Sequence, residues 1–189
     1  MKRQAPRPGA IRIISGSLRG SKLTVPALAG LRPTPQRLRE TLFNWLMPAI
    51  EGARALDLFA GSGALGIEAV SRGASSALLV ERDRVQAARI AADLQRLHVE
   101  NAEVRCADAL ELLASAPPQP YHLVFLDPPF EAELWSRAAL TLDENGWLAA
   151  DTYVYVESPA GVVPDVPARW ALHREARAGA VRGALYRVA

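Results

Sequence analysis

The chain has 189 residues, half of them hydrophobic and 22% charged, which suits one main domain able to bury a real core. No apolar run approaches the roughly 20 residues that cross a bilayer. Arg12 interrupts the short apolar stretch Ile11 to Ile14, so no signal peptide is expected, and the single Cys106 excludes an intramolecular disulfide and fits a reducing cytoplasm.

The net charge of +2 conceals an asymmetry. Residues 1–39 carry nine Lys or Arg and no acid, whereas the remaining 150 carry 13 basic and 20 acidic side chains. A basic N-terminal segment on an acidic body predicts a polyanion met at that segment. Nucleic acid is favoured over a solvated tail without a partner, because the basic residues continue into patterned sequence.

Residues 1–9, rich in Pro, Arg and Lys, are expected to be disordered. "RIISGSLRGSKLTV" predicts two short strands, Arg12–Ser15 and Lys22–Val25, around a Gly/Ser turn region. The hairpin bears Arg12, Arg19 and Lys22 as candidate nucleic-acid contacts. "LRPTPQRLRETLFNWLMPAI" predicts a helix from about Thr34 with Pro35 in its first turn, and a stripe of Leu38, Leu42 and Leu46 offset by Phe43 and Trp45. From residue 53 strands and helices alternate. Strands are predicted at 54–59, 77–81, 102–106, 122–126 and 153–157, and helices near 64–72, 83–97, 108–115 and 131–143. The wholly apolar Ala77-Leu78-Leu79-Val80 belongs inside a parallel sheet. This alternation predicts an open α/β sheet with right-handed crossovers. After residue 167, "RWALHREARAGAVRGALYRV" predicts an antiparallel hairpin with a Gly/Ala turn.

The first strand of the alternation runs into "LDLFAGSGALGIEA", where Gly61, Gly63 and Gly66 satisfy G-x-G-x-x-G and Glu81 follows Gly61 by twenty residues. That pattern fits an NAD-dependent oxidoreductase as well as other nucleoside cofactors, since an acid ending the second strand accepts from both ribose hydroxyls. Asp57 tilts the choice. A carboxylate within that strand is costly unless it meets hydrogen-bond donors or positive charge. S-adenosylmethionine brings an ammonium and a sulfonium, whereas the NAD pyrophosphate would be repelled. Asp57 as a cap of the loop backbone is the alternative. Asp108, ending the third strand, suits an adenine amino group, an N-cap for the next helix, or both.

"FLDPPF" closes the fourth strand. Two prolines remove two N–H donors and stiffen the exit from the sheet, and Phe130 follows at once. Read as structure alone, the stretch is a stiff turn. Read with the glycine loop, Asp127 and the Pro128 carbonyl form two acceptors for the N–H groups of an exocyclic amine, with Phe130 stacked on its base. Such a grip localises a lone pair that the ring would otherwise delocalise, and positioning provides most of the rate. A base in folded nucleic acid has to leave its stack to enter.

These residues together resemble the class I S-adenosylmethionine-dependent methyltransferases with a D/N-P-P-Y/F/W motif. The closer similarity is to the RsmD family, 16S ribosomal RNA guanine-N2 methyltransferases. It is carried by "RIISGSLRGSKL", "LRPTPQRLRETLFNWL", "LDLFAGSGALGIEAVSRGA", "FLDPPF", "LDENGWLA" and "YVYVES", in that order, over roughly residues 11 to 189. The resemblance implies a Rossmann-like α/β fold: a seven-stranded, mostly parallel sheet with a C-terminal antiparallel hairpin. It further implies an RNA-recognition segment over residues 1–30 and a methyltransferase domain over 31–189. The implied cofactor is S-adenosyl-L-methionine, and the implied partner is 16S rRNA, within a small-subunit particle.

By motif, Asp57, Gly61 and Gly63 fall in the loop at the methionine moiety, Glu81 at the ribose and Asp108 at the adenine. Phe59, Ala60, Ser62, Arg82 and Ala109 are further cofactor contacts implied by the resemblance. Asp127, Pro128, Pro129 and Phe130 fall at the target amine. Thr34 and Arg37, in the segment Arg32 to Glu40, are contacts to cofactor or RNA, and Arg32 joins the RNA contacts. A cytoplasmic monomer is expected. Trp45, Trp147 and Trp170 read as packing, and Trp135 as either packing or stacking. His98, His122 and His173 lack metal-ligand spacing, so no metal is expected. An adenine-N6 methyltransferase on DNA or RNA fits the same motif, and a binding protein without turnover is a further alternative.

Overall fold

The computed structural model describes residues 9–25 and 34–189. The tail expected over 1–9 lies outside these residues up to residue 8, as does Arg32. Gly9 belongs to a strand. β1 (Gly9–Arg12) pairs antiparallel with β2 (Lys22–Val25), from Gly9↔Val25 to Arg12↔Lys22. The first strand therefore begins before the predicted Arg12–Ser15. Ile14 and Ser15 leave the ladder because their N–H groups donate to the buried Glu68 carboxylate, at 2.7 and 3.0 Å.

Helix α1 (Gln36–Leu46) follows Pro35, and its stripe of Leu38, Leu42, Phe43 and Leu46 is buried as expected. The alternating region contributes β3 (Arg54–Asp57), α2 (Ala64–Ser71), β4 (Ser76–Glu81), α3 (Arg84–Arg96), β5 (Ala102–Cys106) and α4 (Ala109–Leu113). β6 (Tyr121–Leu126), α5 (Trp135–Glu144), β7 (Leu148–Pro159), β8 (Trp170–Ala178) and β9 (Val181–Val188) complete it. The seven strands lie in the order β5-β4-β3-β6-β7-β9-β8. β5, β4, β3, β6 and β7 are parallel, and β9 enters antiparallel between β7 and β8.

Period-two alternation sends side chains of one strand to two helical layers. Ala77 and Leu79 pack with α1, α2, α3 and the β1–β2 hairpin, whereas Leu78 and Val80 pack with α4 and α5. The hairpin thus shares a core with the sheet through Ile13 and Leu23.

Three predicted elements differ. The helix expected over 131–143 is a single 3-10 turn at Phe130–Ala132 followed by α5, because Glu133 adopts a left-handed conformation (φ 48°) between them. The strand expected over 153–157 extends to Leu148–Pro159, with a register shift against β6 between Tyr121 and Leu123. A cysteine on a strand suits a small apolar group, yet Cys106 is exposed because β5 is the edge strand.

Candidate active site

β3 neighbours β4 on one side and β6 on the other, so the chain crosses over at β3 and opens a crevice beyond the carboxyl ends of the strands. A cleft of about 1090 Å³ occupies this crevice. Seven of its lining residues are acidic (Asp57, Glu81, Asp83, Asp108, Asp127, Glu131 and Glu157), against two arginines, Arg39 and Arg82. A cavity so charged favours a cationic occupant and disfavours a pyrophosphate.

Of the two readings left open for Asp57, the backbone cap is the one with an observed contact. Its Oδ2 accepts from the Gly66 N–H at 2.9 Å, within the first turn of α2, and the residue lines the cleft while only 2% exposed. Burial raises its pKa to about 7 against the lowering effect of that N–H, and the nearby Glu81 raises it further. A buried carboxyl so placed gains most from a cation.

Gly61 and Gly63 have φ of 54° and 76°, which only glycine adopts without strain. A Cβ on Gly66 would come within 2.8 Å of Leu79 Cγ, so this glycine lets α2 pack on the sheet. Phe59, Ala60, Gly61 and Ser62 line the cleft, whereas Gly63 caps α2 behind them. Glu81 Oε2 accepts from Gly61 N–H at 2.9 Å and Oε1 from Asp83 N–H at 2.8 Å, which ties the end of β4 to the glycine loop. Arg82 lines the same wall. Asp108 caps α4 through Leu110 N–H (2.9 Å) and Glu111 N–H (3.2 Å), and both Asp108 and Ala109 reach the cleft.

Asp127, Pro128, Pro129 and Phe130 line the other end of the cleft. The Pro129 carbonyl accepts from Ala132 N–H at 3.0 Å, while no backbone N–H among the described residues is directed to that of Pro128. Phe130 leans on Trp135, with ring centroids 5.9 Å apart. Trp135 is packing: it is 5% exposed and its Nε1 donates to the Glu157 carbonyl at 2.6 Å. Trp147 and Trp170 are also buried, with their indole N–H groups bonded to Ser115 O (2.8 Å) and Asp143 Oδ1 (2.7 Å).

Thr34 lines the cleft, and its side chain lowers the pKa values of the Asp127 and Glu157 carboxyls against their burial. Arg37 does not join the site; it is exposed on the outer face of α1. The neighbouring Arg39 does, 3% exposed, with one terminal nitrogen donating to Arg12 O at 2.6 Å. Arg12, Arg19 and Lys22 are exposed on the hairpin, away from the cleft lining.

The residue that sequence reasoning missed is Glu157. It ends the apolar run of β7 as Asp127 ends that of β6, and the same signal, an acid at the carboxyl end of a buried strand, marks it. Glu157 is 2% exposed and lines the cleft, and its Oε2 accepts from Tyr155 Oη at 3.0 Å. Burial raises its pKa to about 7 against the donors Tyr155 and Thr34. Burial first, then the Glu157 and Asp57 charges, hold Asp127 well above the usual carboxylate range. Gln86, buried in the first turn of α3 with an Nε2 that has no partner among the described residues, was missed as well.

Among the described residues no group of three or more His, Cys, Asp or Glu is arranged to hold a metal ion, and no helix is long and apolar enough to cross a membrane.

The sequence model of the family described as "Conserved hypothetical protein 95" matches residues 11–187. Ribosomal RNA small subunit methyltransferase D of Escherichia coli (strain K12) is 50% identical over 179 residues, which cover 94% of this chain and 90% of that protein. The protein of the same name from Haemophilus influenzae is 44% identical over 181 residues, covering 94% of each chain. The solved structure of the putative methyltransferase yhhF from Escherichia coli superposes with a TM-score of 0.87 at 49% identity, over 95% of this chain and 98% of that one. A cleft of strand-end acids around a glycine loop, closed by Asp-Pro-Pro-Phe, thus lies in a chain that belongs to the RsmD family of methyltransferases.

Proposed function

We propose that the chain transfers a methyl group from S-adenosylmethionine to the exocyclic N2 amine of a guanine in 16S ribosomal RNA of the small subunit. The observation that carries this reading is that Asp127 and Pro128 line an acidic cleft together with the glycine loop.

The residues present fit the cofactor. Among the described residues no cation pairs with the buried Asp57, and an ammonium would supply that charge. Glu81 stands at the end of β4 where ribose hydroxyls can donate, and Asp108 and Gln86 flank the space for a purine. When bound, the cofactor supplies a methyl group on a positively charged sulfur, an already excellent leaving group. The chain's own contribution is orientation. Asp127 and the Pro128 carbonyl accept from the two N–H groups of the target amine and turn its lone pair toward the methyl. Phe130, held by Trp135, supports the base. Pro128 and Pro129 fix the geometry before the substrate arrives, so little reorganisation accompanies the reaction.

Arg12, Arg19 and Lys22 on the hairpin, with Arg32 in the following segment, attract the RNA backbone, in keeping with residues 1–30 as the recognition segment. The names of the relatives support a ribosomal RNA of the small subunit as the substrate.

The test is incubation with methyl-tritiated S-adenosylmethionine and small ribosomal subunits lacking the modification. Label is expected in the 16S RNA, and calorimetry is expected to show binding of S-adenosylmethionine. Tight NAD binding with no S-adenosylmethionine binding would replace this reading with an oxidoreductase.

A further inference from the structure

β6 and β7 run parallel, and their last registered pair is Leu126↔Val156. One residue further on each strand stand Asp127 and Glu157, about 4.8 Å apart in the sheet direction. They share the face of Phe125 and Tyr155, so their side chains enter the cleft together. Glu157 is fixed at two points. Its carbonyl accepts from Trp135 Nε1, and its Oε2 accepts from Tyr155 Oη. Tyr155 is itself buried beside Gly183, where any Cβ would come within 2.5 Å of its hydroxyl. A buried glutamate held this firmly, at the target end of the cleft, exceeds what anchoring the strand requires. The fold keeps it at the cost of desolvation.

A purine with a methylatable amine presents one of two edges. Guanine offers donors side by side, N1–H and the N2 amine. Adenine offers its N6 amine beside N1, which is an acceptor. Two neighbouring carboxyls match the first edge and set a lone pair against a lone pair at the second.

We infer that Glu157 is the guanine-reading residue: its carboxylate accepts from N1–H of the base whose N2 amine Asp127 and the Pro128 carbonyl hold. This rests on the proposed guanine-N2 reaction and deepens it, by naming what excludes adenine. Burial of both carboxyls side by side raises both pKa values, so the pair is short of donors, and the guanine edge supplies them.

The test uses small subunits reconstituted with 16S RNA carrying guanosine or 2-aminopurine riboside at the position where product mapping places the methyl group. 2-Aminopurine keeps the amine but has an acceptor at N1. The wild-type chain should methylate guanosine about 10- to 100-fold more efficiently in kcat/KM. Glu157→Gln can turn its amide toward either edge, so this ratio should fall to within a few-fold of one. The O6 that 2-aminopurine lacks is missing for both enzymes and cancels in the comparison. S-adenosylmethionine affinity of the variant, measured by calorimetry, reports whether its cleft is intact. An unchanged ratio in Glu157→Gln, with both substrates slowed alike, would overturn the assignment. So would a wild-type chain that accepts 2-aminopurine as readily as guanosine, a result that stands even if the variant does not fold. Failure of the wild type to methylate the guanosine particle would instead overturn the reaction itself.

Discussion

In the proposed reaction, Asp127 is the side chain on which the chemistry turns. It ends β6 inside an acidic cleft, and its function depends on accepting a hydrogen bond in one direction. Asp127→Asn keeps the shape but can present an N–H where an acceptor is needed. Methyl transfer should fall by about 10²- to 10³-fold, the scale of removing one preorganised electrostatic interaction, with cofactor affinity changed little. Unimpaired transfer in Asp127→Ala would remove its catalytic role. Asp57 gives the second prediction. With its pKa near 7 in the empty cleft and about 3.9 in an unfolded chain, the folded state holds the extra proton between about pH 4 and pH 7. This group therefore weakens the empty fold as pH rises through that window. A bound cation favours the ionised carboxylate, so cofactor binding releases protons and tightens by up to about tenfold per pH unit below 7. Calorimetry in buffers of different ionisation enthalpy measures that release. A flat affinity from pH 6 to 8, or an equal slope in Asp57→Asn, would contradict it.

The β1–β2 hairpin rests on two buried carboxylates, Glu68 and Asp93. Glu68, on α2, accepts from the backbone of Ile14 and Ser15 and pairs with Arg72 Nε at 2.7 Å. Asp93 Oδ2 holds Thr24 N–H at 2.9 Å further along. Glu68→Ala leaves two buried N–H groups and a partly buried guanidinium without their partner. It should cost about 3–5 kcal/mol by denaturant unfolding and open residues 14–21 to protease. Protection equal to the wild type would show that the apolar packing of Ile13 and Leu23 suffices. This anchor also shows what the sequence conceals. The strands of the alternating region were legible because each is an apolar run with its own period. Glu68 was not, because its partners are backbone groups more than fifty residues away that carry no sequence signal. The break at Glu133 was hidden for a similar reason: a left-handed glutamate contradicts local propensity. At the site, Asp57, Glu81, Asp108 and Asp127 were legible as acids ending apolar strands. Glu157 sends the same signal, but only the order β6-β7 brings it beside Asp127. Arg37 and Arg39 differ by their position around α1, which decides that Arg39 enters the cleft and Arg37 does not.

Across the whole molecule the charge separates by function. The cleft is acidic and suits a cation, while the exposed Arg12, Arg19 and Lys22 of the hairpin suit a phosphate backbone. Replacing these three with glutamine should weaken binding to small-subunit RNA and reduce the slope of log affinity against log salt by about 0.7 to 0.9 for each phosphate left without its cation. Cofactor affinity should not change, and an equal drop in it would show that these residues serve the fold instead. The topology then joins the two regions: the hairpin, α2 and the glycine loop are consecutive layers on one face of the sheet. The most direct measurement is the identity of the modified nucleoside. Small subunits lacking the mark, methylated by the wild-type chain with tritiated S-adenosylmethionine and digested to nucleosides, should yield N2-methylguanosine. Recovery of the label as N6-methyladenosine would contradict the account.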